Sequence, residues 1–145
     1  MQFLICFLLS FLALETAFVL PAHAMEYPES LSGLVALKGM QQQSKDYEIA
    51  MQNNRPSLIE FYADWCASCQ HFAPKLKAIR DRFPTEINWV AIDIDDVRWN
   101  SLIREYRVVG VPHLALLNRD RAVRESWTGE VPEAVLESAI AEVLN

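Results

Sequence analysis

Basic clusters are missing from this chain of 145 residues. Thirteen Lys and Arg are scattered against nineteen Asp and Glu, for a net charge of −6. With no Lys/Arg block, nothing favours nucleic acid as a partner, and the acidity serves mainly solubility. Internal repeats and long low-complexity tracts are absent too. Cysteine is scarce, with three in all. Charge is nearly missing from residues 1–24, which lack Lys, Arg and Asp and carry the single acid Glu15. A core helix of that length would show a polar stripe, and this segment shows none.

The apolar run at 3–20 ends in Pro21 and then Ala22, His23 and Ala24. Small-x-small is the pattern of a signal-peptidase site, and the run is close to bilayer-spanning length. Residues 1–24 therefore read as a cleaved signal peptide or an uncleaved membrane anchor, although no basic residue precedes the run. Either reading exports the remainder. Cys6 lies inside this segment and drops out of the chemistry, which leaves Cys66 and Cys69.

Apolar residues make up 52% of the chain, enough for one domain with a core. Residues 25–43 are mixed and polar and read as a linker, with a short strand around 34–37. From Ser44 the pattern becomes regular. Ser44 is placed to cap a helix reaching about Asn53. The runs 57–63 and 87–95 read as buried strands. Phe72, Leu76, Ile79 and Phe83 recur at helical spacing between them, with Pro74 inside. A further helix is expected over 97–108. Strands at 113–118 and 122–128 are joined by a turn at Arg119, Asp120 and Arg121. A last helix has Pro132 early in its first turn. This order gives an α/β fold with a central mixed sheet of about four strands, flanked by helices, over 44–145.

Cys66 and Cys69 fall where a strand ends and a helix begins. Free N–H groups and the macrodipole at such a terminus stabilise a thiolate. A thiol with pKa near 8.5 is about 3% ionised at pH 7, and one near 7 is about half ionised. The roughly sixteen-fold gain shrinks to about three-fold once the lower nucleophilicity of the weaker base is counted. Positioning and leaving-group ability must supply much of the rest. Gln70 rather than His follows Cys69, which argues against c-type haem attachment. Two cysteines and three scattered histidines fall short of the four ligands of a zinc site, so no metal and no cofactor is expected. In an oxidising compartment a structural disulfide is the plain alternative. Glu60 interrupts an otherwise apolar strand, where a charge is costly unless it has a partner or a role. His71 and His113 read most simply as surface or half-packed residues. Of the two, His113 is the better functional candidate.

The segment "FYADWCASCQHFAP" resembles the thioredoxin active-site segment, in which Trp-Cys-x-x-Cys follows a core strand. "VVGVPHLALLNRD" resembles the second signature of that superfamily, and "WTGEVPEAVL" its closing strand, glycine and last helix. The resemblance covers about 44–145 and implies the thioredoxin fold and protein thiol–disulfide oxidoreductase activity. It implies Cys66 as nucleophile, Cys69 as resolving cysteine and Glu60 as the buried acid beneath it. Trp65, Val111, the cis proline Pro112 and Gly129 would form the substrate-binding surface. Ala67 and Ser68 replace the Gly-Pro of ordinary thioredoxins, and Ala91 stands where the family often has Lys. The "FYADWC", "VPH" and N-terminal apolar features look most like the membrane-anchored thioredoxin-like proteins of cyanobacteria and thylakoids.

That branch implies a reductase in the periplasm or on the thylakoid-lumen side. Its partners would be disulfide-bearing proteins, apocytochromes among them, with a membrane thiol carrier as electron donor. An uncleaved N-terminal segment would add contact with the membrane. The alternatives are a disulfide oxidase or isomerase, or a non-catalytic assembly factor or metallochaperone on the same scaffold.

Overall fold

The computed structural model describes residues 29–145. Residues 1–24, expected as a signal peptide or membrane anchor, lie outside the described residues with Cys6, and among the described residues no helix is long and apolar enough to cross a membrane. The elements in chain order are α1 (Glu29–Gln42), α2 (Tyr47–Gln52), β1 (Ser57–Tyr62), α3 (Ala67–Arg82) and β2 (Asn88–Asp93). A 3₁₀ turn (Val97–Trp99) leads into α4 (Asn100–Glu105), then β3 (His113–Leu117), β4 (Val123–Thr128) and α5 (Glu133–Leu144). The strands form one mixed sheet in the order β2-β1-β3-β4. β1 pairs parallel to β2 and antiparallel to β3, and β3 pairs antiparallel to β4.

β1 is buried along its whole length because helices cover both faces of the sheet. Strand side chains alternate between the faces. Ile59 and Phe61 pack with Val90, Ile92, Ala115 and Leu117 under Ala50 of α2 and Leu102 of α4. Leu58 packs on the other face with Leu114, Phe72, Leu76 and Ile79, and with Leu136 and Ile140 of α5. The expected fold class and the order of elements from 57 onward are those observed.

Three local expectations are corrected. From Glu29 onward the linker expected over 25–43, with its strand at 34–37, is helix α1. Gly33 and Gly39 lower its helix propensity by about 1 kcal/mol each relative to Ala. Burial of Leu37 and Met40 opposes that loss. Secondly, Ser44 does not cap α2. Asp46 does, its carboxylate accepting from the Ile49 N–H at 3.1 Å. The Ser44 hydroxyl accepts from the Ala91 N–H at 2.7 Å, and the Lys45 N–H donates to the Trp89 carbonyl at 2.8 Å. The α1–α2 connection thereby covers the outer edge of β2, which would otherwise present unpaired backbone groups. Thirdly, Pro132 is the N-cap of α5 rather than part of its first turn.

Candidate active site

β1 runs straight into the turn of Ala63, Asp64 and Trp65, and Cys66 then caps α3. A cap side chain can accept from the free N–H groups of the first turn. Here the acceptor is the Cys66 Sγ, 3.1 Å from the Cys69 N–H. The two cysteines are joined as a disulfide, with their Cα atoms 5.2 Å apart. Cys69 is wholly buried, whereas Cys66 keeps 4% of its surface between the exposed Trp65 and Ala67. Leu37, Tyr62, Ala63 and Ala73 pack around the pair, with Val111 against the same cluster.

The structure brings the expected site residues together from three directions. The Val111–Pro112 peptide is cis, as the resemblance implied. The Gly129 N–H donates to the Pro112 carbonyl at 2.7 Å, which ties the end of β4 to the start of β3. Gly129 has φ +93°, a backbone region that strains any L side chain. Trp65 stands 67% exposed, and its indole N–H donates to Asp95 Oδ2 at 2.8 Å.

Glu60 is 3% exposed. By the alternation of β1 it shares the face of Leu58 and Tyr62, the face on which α3 carries Cys69. Neither carboxyl oxygen has a hydrogen-bond partner among the described residues. Burial raises its pKa to about 7. Its register partner on β2 is Ala91, so no cation answers it from that strand. A cavity of about 10 Å³ lies beside it, lined in part by Met40, Ser44, Trp89 and Ala91. That is close to the space one water occupies.

The two histidines are not brought into the cysteine cluster. His71 is exposed, its Nδ1 2.6 Å from Glu130 Oε1. His113 is buried, its Nδ1 3.0 Å from the Thr128 hydroxyl and its Nε2 3.1 Å from the Ser126 hydroxyl. It bridges β3 to β4, and burial lowers its pKa.

Sequence reasoning missed a second ring of residues. Lys38 and Gln41 of α1 both bind the Asp64 carboxylate, and the Gln70 side chain donates to the Asp64 carbonyl at 2.6 Å. The signal that could have found α1 was the spacing of Gly33, Leu37 and Met40, its buried positions.

A disulfide whose Cys66 caps a helix, with Val111 of the cis Val111–Pro112 peptide packed against its cluster and a buried acid on the same face of the sheet, can exchange electrons with a second disulfide. The thioredoxin family profile matches residues 38–142. The thiol:disulfide interchange protein TxlA of Synechococcus elongatus is 35% identical over 105 residues, 72% of this chain and 55% of the relative. The chloroplastic thioredoxin-like protein HCF164 of Arabidopsis thaliana is 32% identical over 102 residues, 70% of this chain and 39% of the relative. The chain thus spans about half the length of the curated relatives it matches, or less. Among solved structures, a thioredoxin variant from Halobacterium salinarum NRC-1 superposes with a TM-score of 0.58 at 28% identity. It covers 70% of this chain and 88% of its own. By fold, site geometry and sequence match, the chain belongs to the thioredoxin family.

Proposed function

We propose that this protein is a thiol–disulfide oxidoreductase that works as a reductase of protein disulfides in an exported compartment, the periplasm or thylakoid lumen. The observation that carries the reading is the Cys66–Cys69 disulfide at the N-terminus of α3, with the Cys66 sulfur in the capping position. The names of the relatives as thiol:disulfide interchange and thioredoxin-like proteins support it.

In the reduced protein the Cys66 thiolate attacks one sulfur of a target disulfide. A Cys66–target mixed disulfide forms, and the first target sulfur leaves as a thiolate and takes a proton. Cys69, its proton passed to Glu60, then attacks Cys66. The internal disulfide re-forms and the second target thiol departs. The target gains two electrons and two protons. A membrane thiol carrier is the proposed donor that restores the dithiol, and apocytochromes are among the proposed targets.

Cys69→Ser tests the cycle, because attack can proceed while resolution cannot. In the native compartment this variant is expected to accumulate protein adducts that a reductant dissolves, with Cys66→Ser as the weakly trapping control. Equal trapping by both variants would refute the assignment of nucleophile and resolver. Adducts without cytochrome precursors would remove that target class alone. The reduction potential sets the direction: about −270 mV suits a reductase and about −120 mV an oxidase. Export is checked by protease protection of the domain in sealed native membranes, and digestion from the cytoplasmic side would refute it.

A further inference from the structure

We infer that α1 is a positioning element of the active site: Gly33 seats it on the backbone of Gln70, and Lys38 neutralises Asp64, the carboxylate two residues before Cys66. The inference rests on Cys66 being the attacking cysteine.

The seat follows from a proline. Pro74 has no N–H, so the carbonyl of Gln70 lacks the donor that a fourth residue onward normally supplies in a helix. Gly33 packs against that carbonyl. A Cβ at position 33 would lie 2.5 Å from the Gln70 carbonyl oxygen and 2.9 Å from its carbon, both backbone atoms that cannot move aside cheaply. Only glycine lets α1 approach this carbonyl so closely. One helical turn on, Leu37 is fully buried with Cys66 and Cys69.

The latch lies on the same helix. Lys38 and Gln41 each donate to the Asp64 carboxylate, which the Lys38 ammonium holds below the usual carboxylate range. The Gln70 side chain closes the ring on the Asp64 carbonyl. The turn that delivers Cys66 is thus held from α1 and from α3 together. Unpaired, the Asp64 carboxylate would oppose ionisation of Cys66.

Other charged groups near the site have partners of their own, Glu60 excepted. Asp95, after β2, accepts from the Trp65 indole. On α3, His71 and Lys75 bind Glu130 from the β4–α5 loop. His113 of β3 is held by β4 hydroxyls. Glu60 of β1 is buried and common to all the variants compared.

The test is the pH profile of Cys66 alkylation by iodoacetamide in the reduced full-length chain, resolved by peptide mass spectrometry. Lys38→Gln is expected to slow alkylation at pH 7 about two- to five-fold and to shift the profile to higher pH, the scale for one partly exposed charge. Lys38→Arg should restore the wild-type profile. Lys38→Gln with Asp64→Asn should restore it too, because the unpaired carboxylate is gone. Gly33→Leu should slow alkylation and raise KM for a disulfide substrate by displacing α1. If that variant does not fold, the Lys38 series decides. A Lys38→Gln profile identical to wild type, or no rescue by Asp64→Asn, overturns the inference. If Cys66 of the wild type alkylates no faster at pH 6 than a simple thiol, the nucleophile assignment itself fails, and that outcome is read before any variant.

Discussion

At residue scale the sharpest consequence of the fold falls on Glu60. Its pKa rises from an ordinary 4.5 to about 7 because burial removes water and no partner replaces it. The folded protein therefore holds a proton at pH 6 that the unfolded chain has released. The contribution of Glu60 to stability must fall as pH rises from about 4.5 to about 7, and then stay flat. At roughly 1.4 kcal/mol per pKa unit, the loss amounts to about 3 kcal/mol. Glu60→Gln keeps the shape and removes the titration. Its stability relative to wild type is expected to grow by about 3 kcal/mol between pH 4 and pH 8, measured by urea unfolding of the oxidised proteins. A pH-independent difference would mean that the carboxyl is solvated. In the reduced protein the same variant should slow release of mixed disulfides more than their formation. Equal slowing of both steps would count against a role as base.

At the scale of elements, α1 and α3 are one unit. α3 has the Cys66 cap at its start and Phe72, Leu76 and Ile79 along its buried stripe. α1 adds Leu37 and Met40 to the same layer. Truncating a wholly buried leucine costs the transfer energy of the lost methyls plus the cavity left behind. Leu37→Ala is expected to destabilise the protein by about 2–5 kcal/mol. Exposed Val35 on the same helix is the control, and Val35→Ala should change stability by less than about 0.5 kcal/mol. Thermal unfolding of both variants checks this, and equal effects would show that α1 is not packed as described. The cost at Leu37 should also reach the site, because that side chain touches the cysteine cluster, whereas Val35 points away from it.

At the scale of the molecule, a single sheet separates two apolar layers. β1 contributes to both, with Ile59 and Phe61 on one face and Leu58 on the other. Neither layer can be lost while β1 remains in place, so unfolding should be cooperative. The tryptophans report on the two sides, since Trp89 packs in the α3 layer and Trp99 in the α2–α4 layer. Tryptophan fluorescence and far-UV circular dichroism are expected to give coincident denaturation curves, and separated midpoints would show that the layers melt independently. The acidic net charge of −6 lies over this frame without directing it.

Much of this was legible in the chain itself. Short apolar runs placed the two buried strands and period-3.6 spacing placed α3, because a strand covered on both faces reads as a continuous run and a helix covered on one face as a stripe. Cys66 and Cys69 were legible because a reactive pair needs a fixed spacing at a helix start. Glu60 stood out because a charge in an apolar strand conflicts with its surroundings. α1 was not legible. Its two glycines weaken the helical signal, and Gly33 is favourable only because the Gln70 carbonyl lies against it, a contact across 37 positions of sequence. The real work of Ser44 was hidden for the same reason. Its hydroxyl serves the β2 edge at Ala91 and not the helix that follows it. The Lys38–Asp64 pair is a meeting of two scattered exposed charges, and no local pattern encodes such a meeting. Local sequence determined which segments bury which faces and where the sulfurs sit. Tertiary structure alone decided which side chains surround those sulfurs, because such contacts depend on the distance between elements and not on order along the chain.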